Sequence, residues 1–453
     1  MSNQKRDGFT SKFGVIAAAA GSAVGLGNIW RFPYITGENG GGAFLLMYIF
    51  FVVLIGIPVM MSEFVIGRRS GSNAIGAFRK LAPGTPWWLV GLIGIIAAFV
   101  ILAFYSTVSG WTLEYIVQAC QNSFSGKSQA ELSNDFNSFT ASTFRPLLWQ
   151  IVVMILTAAI VLRGVSKGIE KATKIMMPLL VILILAVCIR SVTLPGSSEG
   201  LKFLFKPEFS KLTYKGVLMA LGQAAFSLSI GMGALITYGS YVKKDTPLLS
   251  TSISVAVADT VIAILCGIMV FPALFALGGG ENIGGPGLVF VTLPGVFQSM
   301  PGGYIFGILF FILVFLAALT STISLLEVVV AYFKDDLRIS RFKATVLATI
   351  AITVLGVFCT LSFGKLSHIK LFDKTIFGLA DYVSANILLT FGALFIVIFT
   401  GWYLGKSKFI EEVKLASKVN PAVLNVIAFI IKWVAPIAIG TIAIGTFFIE
   451  GLM

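Results

Sequence analysis

Apolar residues run through this chain in long unbroken blocks rather than alternating with polar ones. A bilayer crossing takes roughly 20 apolar residues to span ~30 Å of hydrocarbon. Eleven blocks meet that length, at about 12–36, 42–68, 88–121, 146–163, 169–191, 214–240, 249–277, 302–333, 342–363, 376–405 and 422–449, numbered segments 1 to 11 in chain order. The pattern predicts an all-α polytopic membrane protein in which residues 1–453 form one transmembrane domain. The outer connection 122–145 is polar and is expected to hold little structure. The connection 278–301 is rich in glycine and apolar residues and is expected to fold back onto the protein.

Segments 1 and 6 do not read as ordinary helices. Segment 1 carries Gly21, Gly25 and Gly27 in its middle, then Asn28, Arg31 and Pro33, while segment 6 carries Ser227, Ser229, Gly231 and Gly233. Each glycine costs a helix roughly 1 kcal/mol relative to alanine. The Gly21…Gly25 spacing alone also suits close helix packing. Two such interruptions five segments apart point further, because irregular backbone at membrane depth persists only where it lines a cavity, and matched breaks mark the binding site of an inverted-repeat transporter. The expected architecture is five plus five helices, a first repeat over 12–191 and a second over 214–405, with an extra helix at 422–449.

Composition agrees with a membrane setting. The chain is 57% hydrophobic and 12% charged, against about 25% charged in soluble domains, and its mean hydropathy is +0.95. The net charge of +13 invites a nucleic-acid reading, but its distribution excludes one. With the N-terminus in the cytoplasm, twenty-one Lys and Arg fall in inner connections and ten in outer ones. That bias predicts a multi-pass protein of the cell (inner) membrane with its N-terminus cytoplasmic and its C-terminus outside. Cys120, Cys188, Cys266 and Cys359 are scattered and read as isolated buried thiols. The single histidine, His368, falls in an outer connection, and neither a metal-ligand histidine motif nor a phosphate-binding loop occurs, so no enzymatic activity is expected. No repeated polar stripe suggests a channel pore.

The run Gly21-Ser22-Ala23-Val24-Gly25-Leu26-Gly27-Asn28-Ile29-Trp30-Arg31-Phe32-Pro33-Tyr34, followed by Glu38-Asn39-Gly40-Gly41-Gly42-Ala43-Phe44, resembles the neurotransmitter:sodium symporter family. The resemblance continues through Ile57-Pro58, Glu63, Gly67-Arg68, Tyr105, Trp111-Thr112-Leu113, Arg163 to Glu170, Phe226 to Gly231 and Leu319-Thr320-Ser321. Many members have twelve helices. Stopping after eleven, this chain looks like the bacterial branch that moves hydrophobic and aromatic amino acids.

That resemblance implies sodium-coupled symport of L-amino acids, with two sodium ions. The first sodium site would take the Ala23 carbonyl, Asn28, Ser227 and Asp259, completed by the substrate carboxylate. The second would take the carbonyls of Gly21, Val24 and Ala317 with the hydroxyls of Thr320 and Ser321, although those hydroxyls also suit back-bonding to the preceding helical turn. The freed amides of Gly25, Leu26 and Gly27 at a half-helix N-terminus favour a carboxylate, with Tyr105 donating to it. Carbonyls near Ala23, Phe226 and Ser229 would take the ammonium. Monoamine-carrying relatives have an aspartate where this chain has Gly25, so Gly25 argues for an amino acid. Ser22, Ile101, Tyr105, Phe226, Ser229, Met232, Ser321, Ser324 and Leu325, beside Ser227, complete the expected substrate pocket. Flexible Met232, in place of an aromatic ring, leaves room for a bulky side chain.

An ionisable side chain inside a span is a functional candidate by default, which singles out Asp259. Chloride-dependent relatives place a neutral amide there and borrow a chloride ion, so Asp259 implies that no chloride is needed. Arg31 and Asp381 match the family's outer gate, with Asp373 as an alternative to Asp381. Arg6 and Asp335, with Phe9 and Tyr241, match the inner gate. Glu63 and Glu327 are expected to brace the broken helices. Gly168 and Pro178 flank a stretch of segment 5 expected to unwind during inward opening, unless it is an ordinary proline kink. The partners implied are an amino-acid substrate and the lipid bilayer, with no nucleic acid. An amino-acid sensor on the same scaffold, or a carrier of another zwitterion, are the alternatives. Oligomeric state is not legible.

Overall fold

The computed structural model describes residues 7–276 and 287–448. Arg6 and the glycine-rich stretch 278–286 lie outside the described residues. Among the described residues nine helices are long and apolar enough to cross a membrane. They are Gly42–Ser70, Trp88–Cys120, Phe144–Leu162, Val165–Val192, Leu248–Ala276, Gly303–Asp335, Arg341–Leu361, Ile376–Leu404 and Pro421–Gly445. These are segments 2 to 5 and 7 to 11. A tenth crossing comes from segment 1, where Lys12–Ala23 and Gly27–Glu38 meet at a 51° bend. Segment 6 comprises Tyr214–Ser227 and Ala234–Gly239. The two pieces are too short to span alone, so the expected count of eleven is reached only by taking them as one interrupted crossing.

The local sequence explains where these helices start and bend. Ser11 caps segment 1 by accepting from the Gly14 amide at 3.1 Å, satisfying one of the amides a helix start leaves open. At the other end of the first half-helix Val24 turns extended (φ −72°, ψ 108°). In segment 6 the chain leaves the helix after Ser227 and takes left-handed backbone at Ser229 (φ 55°), Gly231 (φ 86°) and Gly233 (φ 72°). Two of those three positions are glycine, which adopts that region without a Cβ clash. A non-glycine residue at Ser229 shows that the surrounding contacts hold the break open.

Segments 3 and 8 form the centre, each with about two-thirds or more of its apolar window buried (67% and 72%). They flank the broken segments 1 and 6. At the end carrying the N-terminus, Arg68 reaches both the Thr246 carbonyl and the Glu412 carboxylate at 2.7 Å. Asn73 donates to Asp336 at 2.9 Å, and Arg341 pairs with Glu327 at 2.5 Å. The connections predicted to be inner therefore gather on one side.

Two local expectations change. The polar connection 122–145 contains a full helix, Gln129–Ala141, started by a reciprocal Ser128–Glu131 capping box. The signal was present as Ser-x-x-Glu, but composition outweighed it. Cys120 is exposed rather than buried. The end of the 278–301 connection does pack inward: the helical stretch Leu288–Gln298 places Phe290 against Trp111, Tyr115 and Phe136. Segment 5 opens with a π-helical turn at Val165–Glu170 and continues as α-helix through Pro178, so the 168–178 stretch is helical in this conformation.

Candidate substrate and cation site

Three clusters converge on the two breaks. In the first, Asp259 of segment 7 is fully buried. Its carboxylate accepts from Asn28 Nδ2 at 2.8 Å and from the Tyr48 hydroxyl at 2.8 Å. Ser227 Oγ lies 2.8 and 2.7 Å from its two oxygens. Asn28 also reaches the Asp259 carbonyl at 3.2 Å, while its Oδ1 accepts from the Gly25 amide at 3.3 Å. Asn28 and Ser227, expected to share a cation with Asp259, thus both contact its carboxylate, and Ala23 is the last residue of the first half-helix. Tyr48 was not anticipated. Neither was Gln223, whose amide donates to the Gly27 carbonyl at 2.9 Å and ties segment 6 to the first break.

In the second cluster, Ser321 Oγ sits among four carbonyl oxygens, those of Gly21 (3.5 Å), Ser22 (3.4 Å), Val24 (3.4 Å) and Ala317 (3.3 Å). One hydroxyl proton satisfies one acceptor. Hard oxygen acceptors thus converge in excess of the protons available, a chemistry that suits a cation, and three of the four carbonyls are those expected for the second sodium ion. Thr320 Oγ1 donates to the Ala317 carbonyl at 2.9 Å, the back-bond noted above. It also abuts Gly21, where an added Cβ would lie 3.2 Å from Thr320 Cβ.

The third cluster holds the residues of the expected substrate pocket, between the breaks. The Leu26 amide donates to the Tyr105 hydroxyl at 2.9 Å, which leaves the tyrosine proton for another acceptor. A Cβ on Gly25 would stand 2.5 Å from Ser321 Oγ and 2.7 Å from the Tyr105 hydroxyl, and one on Gly27 would meet the Phe226 ring at 3.1 Å. Side chains of segments 3, 6 and 8 therefore approach the bare backbone at 25–27 closely. Ser229 Oγ donates to the Ser22 carbonyl at 2.7 Å, joining the breaks directly. Ser324 Oγ donates to the Ser321 carbonyl at 2.8 Å. Ser22 Oγ is buried without a hydrogen-bond partner, an arrangement that normally calls for a ligand or water. Ile101, Met232 and Leu325 are buried, and Phe226 is half-buried beneath the Arg31 guanidinium, 4.7 Å from its ring centroid.

The profile of the sodium:neurotransmitter symporter family matches residues 6–141 and 132–450. The chain belongs to this family. It is 41% identical over 439 residues to the sodium-dependent transporter YhdH of Bacillus subtilis, covering 97% of each chain. A sodium-dependent transporter of Haemophilus influenzae is 36% identical over 457 residues, covering 98% of this chain and 99% of that one. Among solved structures, MhsT in complex with L-phenylalanine superposes with a TM-score of 0.89 at 47% identity, covering 98% of this chain and 100% of the other. This symporter is accordingly a sodium-dependent membrane transporter and not an enzyme.

The two expected gates differ from each other. At the expected outer gate Arg31 and Asp381 form no ion pair within 4.0 Å. Arg31 instead stacks on Phe226 and lines a cavity of about 560 Å³ with Leu379, Tyr382 and Asn386 of segment 10. That cavity meets the expected substrate pocket only at Phe226. At the expected inner gate Phe9 is buried, edge-on to Tyr238 (5.6 Å) and Tyr241 (6.3 Å), and its amide donates to the Tyr241 carbonyl at 3.2 Å. Tyr241 donates to Glu327 at 2.7 Å. Asp335 lies 3.5 Å from Asn73 Nδ2. Just beyond, Thr10 and Ser11 bind Glu170 of segment 5 at 2.7 and 3.0 Å, strapping the N-terminal arm down. Glu63 accepts from the Gly231 amide at 2.8 Å and so braces the segment 6 break, whereas Glu327 ties Tyr241 to Arg341 on the inner side.

Proposed function

We propose that this symporter carries bulky hydrophobic and aromatic L-amino acids into the cell with two sodium ions, by alternating access and without chloride. The carrying observation is the bare backbone at 25–27. A Cβ at Gly25 would press on Ser321 Oγ and the Tyr105 hydroxyl, so a substrate carboxylate would meet the Tyr105 proton and the backbone. The Gly25 and Leu26 amides, which donate here to Asn28 and Tyr105, would turn to it on binding. The substrate carboxylate then sits beside the Asn28, Ser227 and Asp259 cluster and completes the first sodium site. Sodium and substrate each raise the other's affinity, since coupling between two binding sites is reciprocal. The four carbonyls around Ser321 support the second ion. MhsT, of the same family, was solved with L-phenylalanine, in line with the apolar walls at Ile101, Met232 and Leu325.

The same reading assigns the halves 12–191 and 214–405 to inverted repeats, places the Phe9 end in the cytoplasm, and takes the separated Arg31 and Asp381 as an outer gate standing open. In the membrane field, each charge moved inward gains ~2.3 kcal/mol per 100 mV. Purified protein in proteoliposomes is expected to accumulate radiolabelled Trp, Phe or Leu only under an inward sodium gradient. Absence of gradient-driven uptake of every amino acid would refute the proposal. Replacing external chloride by gluconate is expected to leave the rate unchanged, because Asp259 supplies the negative charge itself, and collapse of uptake in gluconate would count against that role. Met232→Phe, which fills part of the pocket, is expected to shift competition away from Trp toward smaller side chains, and an unchanged ranking of Trp against Ala would show that Met232 does not line it.

A further inference from the structure

Of the 33 Lys and Arg residues, Lys432 lies deepest within an expected segment, ten residues from the start of 422–449. Lys432 lies well inside segment 11 (Pro421–Gly445). A cation at such a position is costly unless something pairs with it. No carboxylate lies within 4.0 Å of its ammonium among the described residues. Its neighbours are two tryptophan rings, with Trp402 at 4.7 Å and Trp433 at 5.4 Å from the ammonium to the centroids.

The backbone around it is also unusual. Lys432 sits in a π-helical turn, Ile430–Val434, packed against a second one in segment 10, Phe399–Leu404. Seven such turns occur among the described residues, so it is the contact between these two that marks the place. The Trp402 indole donates to the Lys432 carbonyl at 3.0 Å, and the two tryptophan rings meet edge-on at 4.6 Å. Gly401 lets the helices approach, since a Cβ there would lie 2.8 Å from Lys432 Cα. Between these turns lies a groove of about 290 Å³ lined also by Lys406, Asn425 and Phe429. Trp402, Tyr403 and Trp433 remain exposed on the lipid-facing flank.

We propose that this groove binds the headgroup of an anionic phospholipid from the leaflet on the N-terminal side. The two carboxylates of the adjoining link, Glu411 and Glu412, are already paired with Arg69 at 3.0 Å and Arg68 at 2.7 Å. Lys406 and Lys432 are therefore left as the cations facing the groove, and a lipid phosphate complements them. The tryptophans border the acyl region, where amphipathic rings of membrane proteins settle. A bound lipid would hold segment 11 against segment 10, which contributes Tyr382 and Asn386 to the outer cavity.

The test uses the full chain in phosphatidylcholine nanodiscs containing a minor fraction of phosphatidylglycerol, with bromine on the acyl chains of one lipid at a time. Brominated phosphatidylglycerol is expected to quench tryptophan fluorescence beyond its mole fraction, reflecting roughly fivefold enrichment, the scale for one basic residue near an anionic surface. The excess is expected to vanish in Lys432→Met, to persist in Lys432→Arg, and to drop in Trp433→Phe. Millimolar glycerol phosphate is expected not to abolish it. Quenching in proportion to mole fraction, or an excess that survives Lys432→Met, would overturn the proposal, as would displacement by glycerol phosphate, which would assign the groove to a soluble phosphate. Sodium-dependent amino-acid binding by each variant, measured in parallel, separates a lost lipid contact from misfolding.

Discussion

Gly25→Ala is expected to weaken amino-acid binding by roughly 5- to 150-fold, the range that corresponds to about 1–3 kcal/mol of overpacking. The added methyl would stand 2.5 Å from Ser321 Oγ and 2.7 Å from the Tyr105 hydroxyl. One neighbour belongs to the carbonyl cage and the other accepts from the Leu26 amide. Either displacement spoils a group proposed to hold ligand, so sodium affinity is expected to fall together with substrate affinity. Scintillation-proximity binding of labelled Trp or Phe across a sodium titration measures both. Wild-type affinity would show that the carboxylate does not approach the backbone at 25–27. A thermal stability scan with and without ligand identifies a variant that has merely lost its fold.

Asp259→Ala carries the second large effect. Its carboxylate satisfies Asn28, Tyr48 and Ser227 in a fully buried setting. Each buried group left unpaired costs about 1–3 kcal/mol, and the charge proposed to oppose the first sodium ion is lost as well. Uptake is expected to fall by more than about 100-fold, in keeping with the loss of a partnered intramembrane charge. Asp259→Asn is the sharper probe, because it keeps the shape and most hydrogen bonds while removing the charge. It is expected to fold, to require more sodium for half-maximal binding, and to gain stimulation by chloride. Chloride-insensitive transport at normal sodium affinity in Asp259→Asn would remove Asp259 from the first sodium site.

Much of the site was legible in the chain because its parts are local. Glycine-dense interruptions at 21–27 and 227–233 violate helix propensity wherever the segments go, and a carboxylate at 259 inside an apolar block violates bilayer solvation. Those violations identify positions without any knowledge of packing. Tyr48 was missed because a tyrosine in an apolar helix looks the same whether it faces lipid or core, and its partner Asp259 is 211 positions away. Gln223 was missed for the same reason, its partner carbonyl at Gly27 being 196 positions distant. The expected outer gate illustrates another limit. Arg31 and Asp381 were matched as a pair, yet in this conformation Arg31 rests on Phe226. Which partner a charge meets depends on the conformation, which a sequence does not single out.

By itself, then, the sequence determined the membrane class, the placement of the spans and the two points where helix gives way, since bilayer thickness and backbone propensity act on short windows. Whether the interrupted segment 1 came near segments 6, 7 and 8 was decided only by the tertiary structure. Contacts such as Ser229 to the Ser22 carbonyl, Asn28 to Asp259 and Ser321 to the carbonyls of 21–24 join residues more than two hundred positions apart. They exist because polar backbone freed inside an apolar solvent must find partners within the protein. The glycines of segment 1 thereby changed from a packing motif with two explanations into the positions where backbone meets Thr320, Ser321, Tyr105 and Phe226.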